Sequence, residues 1–353
     1  MLDQLDLTDF RNHAALRFRP EEQFIILHGA NGAGKTNILE GVSLLVPGRG
    51  LRRAALAEMA RKAGAGGFSV SALANGNQFG TAVNAATLGR RHVHINSAAT
   101  AINDLAQYFA ILWLTPAMDR LFADGAGARR RFLDRLVLAL DPTHAVHSSR
   151  YENALKQRNR MLSEGEQDAA WFDAIEARIA EHGAAIAQAR NAMLEQLSVT
   201  IDAMPPSPFA KPLLTLAGDG FADVDALADT LRSGRSRDRS AGRTLTGPHR
   251  ADLEVTHAGH GQPAMNCSTG EQKALLLSVI LAHAGLVKHI RGVPPILLLD
   301  EVAAHLDPDR RAALFELLGE TGSQVWMTGT EEQLFLAAGA GAMRVHIADG
   351  AVS

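Results

Sequence analysis

Near the start of the chain, Gly29-Ala30-Asn31-Gly32-Ala33-Gly34-Lys35-Thr36 fits the pattern G-x-x-x-x-G-K-T without a mismatch. Glycines at these places let successive backbone N–H groups face an anion unobstructed, and the N-terminus of the helix that follows adds a favourable dipole. In such a loop the Lys35 ammonium reaches the outer phosphates of a nucleotide, and Thr36 offers its hydroxyl to Mg2+. Far along the chain, the apolar run Ile296-Leu297-Leu298-Leu299 ends in Asp300-Glu301. A buried parallel strand of this kind delivers Asp300 to the metal shell and leaves Glu301 to orient and deprotonate the attacking water. ATP and Mg2+ are therefore the expected cofactors. Lys35, Asp300 and Glu301 are the expected catalytic set, with Thr36 and Asp300 as metal ligands.

A third segment, Ser268-Thr269-Gly270-Glu271-Gln272-Lys273, opens a helix about 30 residues before Asp300. It resembles the ABC-type ATPase signature S-x-G-Q, with Glu271 in place of Gln. The resemblance implies that Ser268, the Gly270 backbone and the helix N-terminus meet a γ-phosphate held by a second subunit, again an anion at a helix start. The same residues also fit a capping box, Ser268 at the cap and Glu271 three positions on, and the two readings are compatible. His305-Leu306-Asp307 follows at the distance of a D-loop.

These groups need elements to hold them. Leu5, Leu7, Phe10, Ala15–Phe18 and Phe24–Leu27 read as strands, and Asn37–Val42 as the helix after the loop. Residues 64–113 alternate short β-like runs with Gly and Asn and read as an antiparallel sheet. From about 141 to 202 glycine nearly vanishes, and helices are expected over about 145–163 and 168–202 with Gly165 in the turn. Phe172, Ile175, Ile179, His182, Ile186, Ala189 and Met193 mark the seam of the second. The pair reads as a helical hairpin arm, with two core helices of a compact domain as the alternative. Pro205-Pro206-Ser207-Pro208 ends it. Arg232 to Arg243 reads as a mobile basic loop. Strand 253–255, helix 270–288, strand 296–299, helix 308–319 and strand 324–328 then restore an α/β texture.

About 265 residues separate Lys35 from Asp300, roughly twice what the resemblance to a transporter ATPase would imply. Met327-Thr328-Gly329-Thr330 stands where such ATPases carry a switch histidine. Five further strings then resemble the RecF family of bacterial DNA replication and repair proteins. They are Asp9-Phe10-Arg11-Asn12; Gly29–Thr36 continuing into Asn37-Ile38-Leu39-Glu40; Arg129-Arg130-Arg131-Phe132-Leu133-Asp134; Leu155-Lys156-Gln157-Arg158-Asn159; and Thr246-Gly247-Pro248-His249-Arg250-Ala251-Asp252-Leu253. The last is the most diagnostic. The resemblance covers nearly the whole chain. It departs from the family at Glu271, at Ala304 where Ser is usual, at Asp300-Glu301 in place of Asp-Asp, and at Pro116-Ala117-Met118-Asp119 in place of P-E-D-L.

The resemblance implies an α/β fold: an ABC-type P-loop ATPase head of two lobes with an inserted α-helical arm domain. The expected divisions are 1–140, 141–240 and 241–353. It implies nucleotide contacts from Arg11, Asn12, Gly29, Asn31, Gly32, Gly34, Lys35, Thr36, Asn37, Ser268, Gly270 and Asp307. It further implies an ATP-dependent homodimer with weak DNA-stimulated ATPase activity. That dimer would bind duplex or gapped DNA without sequence preference and work with RecR, RecO and RecA. The alternatives are a membrane-transporter ATPase subunit, and a DNA-binding protein that uses ATP only structurally.

The chain has 353 residues, 46% hydrophobic and 21% charged, with 35 Lys+Arg against 38 Asp+Glu. This is a globular composition, and the net charge of −3 excludes a generally basic coat. Basic residues nevertheless gather locally at Arg49, Arg52, Arg53, Arg61 and Lys62; at Arg120, Arg129, Arg130, Arg131 and Arg135; and at Arg232, Arg235, Arg237, Arg239, Arg243 and Arg250. From these, Arg52, Arg53, Arg129–Arg131, Arg235, Arg237, Arg239 and Arg243 are the candidate DNA contacts. Phosphate contact is expected, because aromatics for base stacking are absent from the last cluster. His249 and Arg250 could instead support the nucleotide site. His144/His147 and His257/His260 have metal-like spacing but no accompanying carboxylate or cysteine cluster, and read as surface histidines. The single Cys267 reads as a small packed residue and excludes an internal disulfide framework. No signal peptide or membrane span is expected, and the location is read as cytoplasmic, near the nucleoid.

Overall fold

Leu5, Leu7 and Phe10 alternate with polar neighbours and form the buried face of the first strand, β1 (Gln4–Phe10). The computed structural model of the protein describes residues 1–218 and 221–352; the side chain of His305, in the expected D-loop, also lies outside the described residues. After β1 come β2 (His13–Phe18), β3 (Phe24–His28), α1 (Lys35–Ser43), α2 (Leu56–Met59), β4 (Phe68–Ala74), β5 (Asn77–Val83), β6 (Arg91–Ile95), β7 (Ala98–Thr100), α3 (Leu105–Tyr108) and β8 (Ile111–Leu114). The middle of the chain supplies α4 (Ala126–Leu140), α5 (His144–Glu164), α6 (Ala169–Ala203), β9 (Pro212–Ala217), α7 (Val224–Ser233), α8 (Arg235–Ala241), β10 (Asp252–His257) and α9 (Thr269–Arg291). Then follow β11 (Ile296–Leu299), α10 (Pro308–Thr321), β12 (Gln324–Gly329), β13 (Met343–Ala348) and β14 (Ala351–Val352).

The contacts divide the chain into two units. The first comprises Met1–Asp119, Pro205–Phe209 and Ile280–Ser353; the second comprises Arg120–Met204 and Ala210–Val279. These boundaries fall near 120 and 280 rather than at 140 and 240. The reason is that α4 packs on α5, α6 and β10, while β10 pairs with β9, which itself packs on α6.

The first unit holds two six-stranded sheets. One is antiparallel, in the order β2-β1-β4-β5-β6-β7. The other runs β14-β13-β3-β12-β11-β8, parallel except for β14. Residues 111–113, expected within the antiparallel sheet, belong instead to the edge strand β8 of the parallel one. The central strands β3 and β11 are buried along their apolar lengths, and both faces are covered, so their sequences read as unbroken apolar runs. One core joins Leu5, Leu7 and Phe10 to Ile38, Leu39 and Val42 of α1 and to Ile25, Leu298 and Trp326 of the parallel sheet. Each such side chain contributes about 1.5–3 kcal/mol of burial free energy.

In the second unit, α5 and α6 form the expected helical pair. Gly165 adopts φ 75° in the turn, and Asp168 caps α6 by accepting from the Ala170 and Trp171 amides. The pair does not stand free. Phe172, Ile175, Ile179 and Ile186 share a core with Tyr151, Leu227 and Leu231, while β9 and β10 pair antiparallel. Gly183, in the middle of α6, admits this packing: a Cβ there would lie 2.8 Å from Leu227 and 3.0 Å from Tyr151. The expected mobile basic loop is instead the end of α7 and the helix α8. Arg232 and Arg235 have carboxylate partners, which favours order. Helix α9 has the length and mean hydropathy (1.5) of a membrane span, contrary to the expectation from sequence, but 78% of that window is buried, as in a core helix.

Candidate nucleotide site

The phosphate-binding loop connects β3 to α1, and Lys35 is the first helical residue. Gly34 caps the helix with φ 115°, and a Cβ there would lie 2.6 Å from the Asn12 side chain. Only glycine meets both conditions. Lys35 is buried and donates to the carbonyls of Gly29 (2.6 Å) and Ala30 (2.9 Å). Burial lowers its pKa, and the carboxylates of Glu301 and Asp300 partly offset this. Asn31 and Gly32 are exposed at the crest of the loop.

Two strands away, the chain leaves β11 at Asp300, whose amide donates to Leu114 of β8. The Thr36 hydroxyl donates to Asp300 Oδ1 at 2.8 Å. Adjacent oxygens in an octahedral Mg2+ shell with bonds of 2.0–2.1 Å stand about 3 Å apart, so this pair of hard oxygen donors fits that ion. Thr328, on the intervening strand β12, donates to the same Oδ1 at 2.7 Å and accepts the Glu301 N–H at 3.0 Å. Glu301 has φ 53°, an uncommon conformation for a non-glycine residue, and that hydrogen bond anchors it.

A hairpin tip supports the loop from beneath. Phe10 pairs with His13, so Arg11 and Asn12 form the turn of β1–β2. Asn12 donates to the Ala33 carbonyl (3.0 Å) and accepts from Asn37 (2.7 Å). His13, fully buried, lies between the carbonyls of Gly34 (3.2 Å) and Gly350 (2.7 Å). Arg11, an expected nucleotide contact, grips the buried Glu40 with two bonds of 2.7 Å. Arg52 also reaches Asn37 (2.6 Å) and Glu40 (3.5 Å). Two arginines thus surround one buried acid.

Residues 1–353 match the family described as RecF/RecN/SMC N terminal domain. The chain is 48% identical to the DNA replication and repair protein RecF of Mesorhizobium japonicum, over 95% of this chain and 92% of that protein. It is 48% identical to that of Rhizobium rhizogenes, over 100% and 98%. This chain belongs to the RecF family. Among solved structures it superposes on the recombination mediator protein RecF with ATP, in the RecFOR pathway, with a TM-score of 0.82, 21% identity and coverage of 100% and 98%. A Smc head domain derived from Pyrococcus furiosus gives 0.56, at 16% identity over 100% and 95%. The fold is thus the ABC-type ATPase head shared by RecF and SMC proteins, and the RecF assignment replaces the transporter reading.

In the second unit of this RecF-family chain, Ser268 and Gly270 are exposed at the start of α9. The capping box is formed: the Ser268 amide and hydroxyl both donate to Glu271 Oε2 at 2.8 Å, and the Glu271 amide donates back to Ser268 Oγ at 3.3 Å. Asp307, in the first unit, caps α10 by accepting from the Arg310 amide at 2.9 Å. His249 accepts from the Tyr151 hydroxyl at 2.7 Å and reaches the Thr244 carbonyl at 3.2 Å, which makes it part of the second unit's interior.

The basic clusters divide by partner. Arg129 holds Asp252 with two bonds of 2.8 and 2.6 Å, and Arg130 donates to the Ala251 carbonyl. Arg235 binds Glu176 and Asp173. Arg239 reaches the Glu166 carbonyl and lies over the Phe172 ring. These four DNA candidates are thus engaged in internal contacts, which a phosphate would have to displace. Arg52, Arg53, Arg131, Arg237 and Arg243 are exposed. Sequence reasoning missed Thr328, His13 and Glu40 as supports of the site. Each had a signal: Thr328 at the end of an apolar strand, and His13 and Glu40 beside or within family strings.

Proposed function

We propose that this protein is an ATP-driven DNA clamp of recombinational repair and replication restart. The observation that carries the reading is the convergence of Thr36 and Thr328 on Asp300 beside the glycine loop, with Glu301 held next to it. In that reading the loop amides and Lys35 bind the phosphates, and Thr36 and Asp300 hold Mg2+. The ion, when bound, supplies positive charge to the phosphate oxygens. Glu301 takes a proton from the attacking water. Ser268 and the exposed N-terminal amides of α9 receive the γ-phosphate held by a second copy. Two ATP molecules therefore close a head-to-tail homodimer, and hydrolysis, stimulated by DNA, opens it.

Exposed arginines such as Arg53 and Arg243 support contact with DNA phosphates, on duplex beside a single-strand gap. Membership of the RecF family supports action with RecR and RecO in loading RecA. The test is light scattering with ATP and DNA, comparing the wild type with Lys35→Met. ATP-dependent dimers in the wild type alone are expected; no dimer in either protein overturns the reading. Glu271, an acid at the proposed γ-phosphate contact, favours one rival, in which ATP binds without useful turnover. Phosphate release measured with and without DNA separates the two.

A further inference from the structure

The turn after β10 brings two histidines onto the first turn of α9. The His257 and His260 rings stack at 3.8 Å with an interplanar angle of 13°. Glu271 joins them: one ring nitrogen from each histidine and one Glu271 oxygen all lie within 4.8 Å of one another. The sequence spacing of the histidines suggested a metal pair but showed no carboxylate beside it; the fold supplies that carboxylate from the signature helix.

From this arrangement we propose that His257, His260 and Glu271 bind a divalent ion of the zinc class. Two imidazoles and one carboxylate form a donor set typical of Zn2+, and nitrogen donors disfavour Mg2+ and Ca2+. In a tetrahedral site with bonds of 2.0–2.1 Å, neighbouring donors stand about 3.3–3.4 Å apart. His260 Nε2 and Glu271 Oε1 are already 3.4 Å apart. The two carboxylate oxygens divide their work: Oε2 accepts both bonds of the capping box, while Oε1 faces His260. Coordination at Oε1 therefore leaves the helix cap intact.

His257 Nδ1 presents a lone pair, since it accepts the Gly259 amide at 3.0 Å. A metal at this nitrogen exchanges that bond for coordination. Each metal–nitrogen bond lies in its ring plane, so the stacked rings must splay. His260 is exposed and His257 half-buried, which allows this without moving the backbone. Cys267 takes no part; its thiol faces the Pro263 carbonyl at 3.6 Å. Water completes the coordination.

One consequence rests on the signature reading proposed above. The bound ion converts the −1 charge of Glu271 at the start of α9 into a net positive charge, which favours an approaching γ-phosphate and offsets this chain's departure from Gln. The binding itself is measured without nucleotide, so its failure is distinct from a failure of ATP-driven dimerisation.

The metal-free full chain is titrated with Zn2+ against a chromophoric chelator and, separately, with Co2+ by visible absorption. The wild type should bind one Zn2+ and give the intense bands of tetrahedral Co2+. His257→Gln/His260→Gln and Glu271→Gln should each lower affinity at least tenfold and lose those bands, with metal-free melting unchanged. Should the double variant fail to fold, the exposed single change His260→Gln decides. Affinity and Co2+ spectrum equal in wild type and variants would overturn the proposal.

Discussion

Thr328 Oγ1 donates to Asp300 Oδ1 at 2.7 Å while accepting the Glu301 amide at 3.0 Å. One hydroxyl on β12 thus fixes both acids at the end of β11. Thr328→Val keeps the volume and removes both bonds. A hydrogen bond to a charged group contributes about 1.5–3 kcal/mol. The expected result is a fall in kcat for ATP of about 10–100-fold, with ATP affinity within about threefold of wild type. Steady-state phosphate release and nucleotide titration measure the two separately. Equal falls in kcat and affinity would mean that Thr328 acts on the whole loop instead.

Arg158 is fully buried and bonds Glu176 (2.9 Å), Asp238 (2.7 Å), Thr244 (2.8 Å) and the Leu231 carbonyl (2.9 Å). Arg158→Met removes the cation that two buried acids share. Breaking such a pair from one side costs about 3–5 kcal/mol. Urea denaturation should show that loss in the second unit's transition, with ATP affinity unaffected in protein that remains folded.

Burial lowers the His249 pKa below 6.5; the Thr244 carbonyl opposes this, and Arg250 and Arg130 add to it. In the unfolded chain His249 takes a proton near 6.5, whereas in the fold it stays neutral and accepts from Tyr151. The unfolded state therefore binds more protons below pH 6.5, and stability falls as pH drops from 7.5 towards 5.5. His249→Gln should flatten that slope in a series of thermal melts. Parallel slopes for the two proteins would show that His249 does not contribute.

The arginines divided by partner should separate in DNA titrations. Arg53→Glu and Arg243→Glu alter exposed cations, so they should weaken DNA binding for all sequences. Each neutralised contact should reduce the slope of log K against log salt by about 1. Arg129→Ala should leave that slope unchanged and lower the melting temperature, because it breaks the pair with Asp252.

Much of this molecule was legible as sequence because its chemistry depends on local rules. The glycine loop, the apolar run before Asp300 and the 3–4-residue seam of α6 each follow from backbone geometry or periodicity. Partnership was not legible. Arg129 and Arg53 look alike in a basic run, and only the fold brings Asp252 to the first. The Arg11–Glu40 grip and the junction of Glu271 with two histidines likewise join residues that no spacing rule connects. The boundaries near 120 and 280 escaped for the same reason, since β9 and β10 pair across the α7–α8 excursion.

The pairing of β3 with β12 and β13 has a consequence for synthesis. β3 leaves the ribosome early, yet its hydrogen-bonding neighbours are made about 300 residues later. At about 5–20 residues per second, that is a wait of roughly 15–60 s. The intervening unit contains nearly all its own partners and can fold meanwhile. The antiparallel sheet can close early, but β3 and β8 cannot complete the parallel one, so during that interval the nascent chain exposes unpaired apolar edges.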